Sequence, residues 1–103
     1  MKREELIEDE IYFQHYSNQN TYIFKYRVES SKNIGYKCYI WINGKDFTPN
    51  SNGVNGNDYS QVRLATPLEK AWLQECIKQG KFVPLDKIKI NNNYRLWKLK
   101  IIC

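Results

Sequence analysis

A chain of 103 residues, 42% hydrophobic and 15% aromatic, can fill one core and has no room for two. Its net charge of +5 is unevenly spread: residues 1–10 hold five acids against two bases, while residues 11–103 hold 14 Lys and Arg against 6 Asp and Glu, a balance of +8. Three scattered cysteines (Cys38, Cys76, Cys103) make neither a disulfide framework nor a CxxC metal pair. No apolar run follows the N-terminal charges, and none reaches the ~18–20 residues of a membrane span. The expectation is one soluble, cytoplasmic domain over residues 1–103, with reduced thiols and no cofactor.

Residues 1–9 read as a solvated acidic leader, with residues 3–8 either one helical turn or extended. Ile11–Tyr16 is rich in aromatic and branched residues, and Ser17-Asn18-Gln19-Asn20 ends it with turn chemistry. Thr21–Val28 alternates, with Tyr22, Phe24, Tyr26 and Val28 on one face and Ile23, Lys25 and Arg27 on the other. A polar turn leads to Tyr36–Ile42, where Tyr36, Cys38, Ile40 and Ile42 oppose Lys37, Tyr39 and Trp41. These runs predict a meander, and Asn43-Gly44 predicts a type I′ hairpin into a short strand at Asp46–Thr48. Residues 49–58, with two further Asn-Gly pairs, read as a flexible loop. Tyr59–Leu64 resumes β structure, with Val62 and Leu64 inward.

The main helix is expected over residues 66–79. Thr66-Pro67-Leu68-Glu69 has the form of a capping box with proline at the first helical position. Leu68, Ala71, Trp72, Leu73, Cys76 and Ile77 form its apolar stripe, and Gly80 stops it. Phe82 and Val83 should tuck beneath its last turn. Residues 85–90 leave strand and coil open, 91–93 are a turn, and Tyr94–Ile102 reads as a final strand. The fold class is therefore α+β: an antiparallel β-meander of about five or six strands with one main α-helix packed on one face.

A single helix covers one sheet face. If it covers Tyr22, Phe24, Tyr26, Cys38, Ile40 and Ile42, the other face carries Lys25, Arg27, Lys37, Tyr39, Trp41, Tyr59 and Arg63. Aromatic faces that stack bases, flanked by cations that meet phosphates, are how nucleotides and single-stranded nucleic acid are held. The bland reading of the same residues is a second small core or a dimer interface with solvated lysines. Nothing suggests catalysis. His15 lies in a strand, no nucleophile, phosphate-binding or dinucleotide motif occurs, and the Asn-rich loop has only Asp58 to offer calcium.

The segment Arg63-Leu64-Ala65-Thr66-Pro67-Leu68-Glu69-Lys70-Ala71-Trp72-Leu73-Gln74-Glu75-Cys76-Ile77-Lys78-Gln79-Gly80-Lys81-Phe82 resembles an R-x-A-T-P-x-E-K-x-W-L-x-x-C-I-x-x-G-K-F/Y run in short, mostly uncharacterised phage and prophage proteins. Tyr22-Ile23-Phe24-Lys25-Tyr26 matches an upstream strand seen in several of them. The resemblance implies a small accessory phage protein, a class that includes inhibitors of CRISPR effectors, sponges for signalling nucleotides and modulators of host enzymes. It brings no functional residues with it. The leading expectation is a non-catalytic counter-defence factor that sequesters an anionic nucleotide or nucleic acid. The alternatives are an inhibitor that blocks a host defence protein and a homo-oligomeric interaction protein.

Overall fold

The computed structural model of the chain describes residues 1–88. The expected turn at 91–93 and strand at Tyr94–Ile102 lie outside the described residues. Five strands, β1 (Ile11–Ser17), β2 (Asn20–Arg27), β3 (Gly35–Trp41), β4 (Asp46–Thr48) and β5 (Val62–Leu64), form one antiparallel sheet in the order β4-β3-β2-β1-β5. The first four make the meander. The chain then crosses back to lay β5 against β1, so both edges of the sheet are strands of three residues.

Helix α1 (Pro67–Gln79) begins as its sequence dictates. Thr66 Oγ1 accepts from Glu69 N at 3.2 Å and Glu69 Oε1 accepts from Thr66 N at 2.9 Å. Gly80 closes it at φ 72, donating to Cys76 O at 2.8 Å from a left-handed conformation that costs glycine little. Ala71, Trp72, Leu73 and Cys76 are buried, whereas Leu68 in the first turn and Ile77 at the stripe's margin stay half-exposed. Phe82–Val83 folds under the last turn: Trp72 Nε1 donates to Val83 O at 2.6 Å and the Phe82 ring meets the Trp72 ring edge-on. Leu85–Lys87 is a single 3₁₀ turn, followed by the buried Ile88.

The helix does not cover the face expected of it. Its core partners are Ile11, Ile23, Cys38, Ile40 and Phe47, while Tyr12, Phe24, Tyr26 and Tyr36 sit in a second cluster on the opposite face. Alternation within each strand was read correctly, but the phase between strands was not. Ile23 pairs with Ile40 and Phe24 with Tyr39, so the aromatic row of β2 shares a face with Tyr39 and not with Cys38. Phase is set by the connecting turn and by a bulge in β3 at Lys37, where Lys25 pairs with Cys38 and the next residue, Tyr26, with Tyr36. That bulge puts Tyr36 and Cys38 on opposite faces although they are two residues apart.

The second cluster is roofed by segments expected to be solvated. Leu6 from the leader and Ile34 from the β2–β3 connection are buried in it. The leader also hydrogen-bonds the sheet, Asp9 N to Tyr26 O at 2.9 Å and Tyr26 N to Glu10 O at 3.0 Å. Residues 49–58 are stitched to the start of β3: Ser51 N donates to Lys37 O, Tyr36 N to Gly53 O and Asn55 N to Ile34 O, all at 2.9–3.2 Å. The Asn43-Gly44 turn also differs from type I′. The left-handed residue there is Lys45 at φ 52, and Gly44 is required because the Trp41 ring lies where its Cβ would be.

A candidate binding face

The seven expected site residues do not share one surface. Lys25 and Arg63 lie on the helix face, opposite Cys38 and Phe13 respectively. Arg63 stacks 3.8 Å above the Phe13 ring and forms a fork with Glu69, Nη1–Oε1 2.8 Å and Nη2–Oε2 2.9 Å. That hydrogen bond from Glu69 raises the Arg63 pKa and commits its charge internally. Arg27 pairs with Glu29 and donates to three carbonyls, Tyr36 O and Ser51 O at 2.7 Å and Gly53 O at 2.9 Å. It is a clamp that holds the 49–58 segment to β3. Lys37 is bound by two leader carboxylates, Asp9 at 2.6 Å and Glu8 at 2.7 Å. The hydrogen bond to Lys37, reinforced by Val28 N, lowers the Glu8 pKa. Tyr59 points into the second cluster and donates to Lys32 O at 2.9 Å.

Only Tyr39 and Trp41 remain together. Their cross-strand partners are Phe24 and Tyr22, so Tyr22, Tyr39 and Trp41 line the open end of the aromatic face. Trp41 is 36% exposed and its Nε1 donates to Gln19 O at 3.2 Å, which fixes the indole across Gly44. Behind Tyr39 lies a cleft of about 120 Å³ with Tyr22, Tyr36 and Tyr39 on one side and Ser51, Val54 and Asn55 on the other. The three rings meet one another at 5.2–5.7 Å between centroids. Pairs in that range are edge-on or tilted, the arrangement favoured by aromatic quadrupoles.

A buried polar network supports the cleft from within. Gln14 is fully buried; its Nε2 donates to Asn55 O at 3.2 Å and Gln61 Oε1 at 3.1 Å, and its Oε1 accepts from the Tyr36 hydroxyl. Asn55 Nδ2 donates to the same hydroxyl at 3.3 Å. No side chain lining the cleft is charged. Sequence reasoning placed Tyr39 and Trp41 at the surface but missed Tyr22, Tyr36, Ser51 and Asn55. Its one available signal was the Asn-Gly-rich composition of a segment long enough to fold back on β3.

Burial pushes the phenol of Tyr36 far above its ordinary value of 10.0, and burial raises Tyr22 and Tyr26 as well. A group whose folded pKa is raised keeps its proton in the folded state and loses it first in the unfolded one. Its contribution is complete below pH 10.0 and is lost as pH rises beyond that value. Of the eight tyrosines, these three should ionise last and together with unfolding, which tyrosinate absorbance and circular dichroism in one alkaline titration would follow. Uniform ionisation of all eight with the fold intact would contradict the placement of these rings.

Among the described residues, no three His, Cys, Asp or Glu side chains are grouped so as to hold a metal ion. No described helix is long and apolar enough to cross a membrane. His15 is exposed and shares a 3.2 Å hydrogen bond with Thr21 Oγ1. No protein-family model matches the chain, and no curated protein or solved structure is significantly similar to it.

Proposed function

We propose that this is a non-catalytic binding protein that acts by occupancy, setting the Tyr22–Tyr39–Trp41 face and the wall at Ser51–Asn55 against the surface of a partner protein. The observation that carries this reading is the fate of the cations. Arg27, Lys37 and Arg63 are each held by carboxylates of the same chain, so the aromatic face is not flanked by the row of free charges that phosphates require. Half-exposed Tyr and Trp on a rigid sheet are instead the residues that dominate protein interfaces.

The resemblance to phage proteins favours a host defence protein as the partner. Charge narrows the choice. A protein of net charge +5 is repelled by the positively charged channel in which a CRISPR effector holds its guide–target duplex, so a partner surface of neutral or acidic character fits better. Sequestration of a nucleotide signal remains the second reading, favoured by the overall basic charge.

One experiment separates the two. Tagged protein and its Tyr39→Ala/Trp41→Ala variant are used for affinity capture from host lysate, and both are screened for thermal shift against nucleotides at low and high salt. The expected result is a stoichiometric complex that survives moderate salt and is lost in the variant, with no nucleotide shift. A salt-sensitive shift with a nucleotide, unaccompanied by a captured protein, would overturn the protein-partner reading in favour of the ligand reading.

A further inference from the structure

We propose that the cleft between Tyr22, Tyr36, Tyr39 and the Ser51–Asn55 wall is a socket for one proline ring, presented by an extended segment of the partner polypeptide. This rests on the protein-partner reading and adds what the face recognises.

Size comes first. Small-molecule sites usually measure about 300–1,000 Å³, and a cavity near 150 Å³ takes benzene. At about 120 Å³ the cleft is too small for a nucleotide and tight for a six-membered aromatic ring, but it suits a five-membered pyrrolidine. Charge comes second. The lining residues are uncharged, and the nearest cation, Arg27, is consumed by Glu29 and three carbonyls on the far side of the wall. Nothing in the socket would hold a phosphate.

Hydrogen bonding comes third. Proline brings no N–H, so it needs no acceptor, whereas the carbonyl before it is left free to accept. The Tyr39 hydroxyl has no hydrogen-bond partner among the described residues and is placed at the mouth to donate to that carbonyl. Aromatic-lined grooves are the general means of docking proline in its extended polyproline conformation, because the preformed segment loses little entropy on binding. The socket is preformed as well. The Gln14–Tyr36–Asn55 network fixes one wall and the Arg27 clamp fixes the other.

The test uses fragments, because the socket is fragment-sized and needs no knowledge of the partner. ¹⁵N-labelled full-length protein is titrated with N-acetylproline methylamide, N-acetylalanine methylamide, phenol and cytidine. The expected result is saturable, millimolar binding of the proline compound, with shifts centred on the amides of Gly53, Val54 and Asn55. Affinity should fall at least tenfold for the alanine compound. Tyr39→Phe, which keeps the ring and removes the hydroxyl, should weaken binding several-fold. Tyr39→Ala should abolish it while the β-sheet amide pattern is retained. Absence of saturable shifts from the proline compound, or tighter binding of phenol or cytidine, would overturn the proposal. Were that to happen while Tyr39 and Trp41 still governed partner capture, the occupancy reading would stand without the socket. Loss of both results would remove the reading itself.

Discussion

Trp72→Ala should cost about 3–5 kcal/mol and leave the domain largely unfolded near room temperature. Trp72 is 7% exposed and stands at the centre of the helix-side cluster between β2 and β3. Its removal empties a space lined by Leu73, Cys76 and Val83, which the short helix cannot collapse to fill. It also strips Val83 O of its 2.6 Å donor and frees the Phe82–Val83 return from the end of the helix. Urea denaturation followed by far-ultraviolet circular dichroism measures the loss directly. Trp72→Phe separates the two contributions, since it keeps most of the packing and deletes the indole N–H; about 1–3 kcal/mol is expected. A Trp72→Ala protein within 1 kcal/mol of the parent would mean that α1 is not packed on this sheet face.

The helix was legible because its information is local. Thr66, Pro67, Glu69 and Gly80 act within a turn of where they stand, and the structure uses all four as read. Strand alternation was legible for the same reason, since Tyr22, Phe24 and Tyr26 do share a face. Which face was not legible. Two strands, each correctly alternating, can be joined in either phase, and the Lys37 bulge is written in no periodicity. The consequence for the site was large, because a one-residue slip moved Lys25 away from Tyr39 and brought Tyr22 beside it. Charged residues were misjudged for a related reason. Lys37 finds Glu8 and Asp9, and Lys70 finds Glu10, only because the leader turns back across the sheet. Residues about 28 positions apart cannot be paired by inspection of either neighbourhood.

The same difficulty hid Gln14, and the expected effect of replacing it ties stability to the binding face. Gln14→Leu keeps the side chain's size and apolar stem but withdraws two donors and an acceptor from a fully buried position. The Tyr36 hydroxyl then loses its acceptor and Asn55 O loses a donor. Each stranded buried group costs about 1–3 kcal/mol, partly offset by the added apolar surface, so about 2–4 kcal/mol should be lost. Tyr36→Phe alone should cost less, because Gln14 keeps its bonds to Asn55 and Gln61. Combining the two removes both ends of one buried bond, so the double variant should be more stable than the sum of the singles predicts by about 1–2 kcal/mol. Urea denaturation of the four proteins gives that cycle, and additivity within 0.3–0.5 kcal/mol would mean no coupling. Hydrogen exchange at the Asn55 amide, which donates to Ile34 O at 2.9 Å, should accelerate in Gln14→Leu beyond the change expected from global stability. The wall facing Tyr39 would then be loosened from inside the core, and a socket that depends on being preformed should lose affinity although none of its ring residues has been touched.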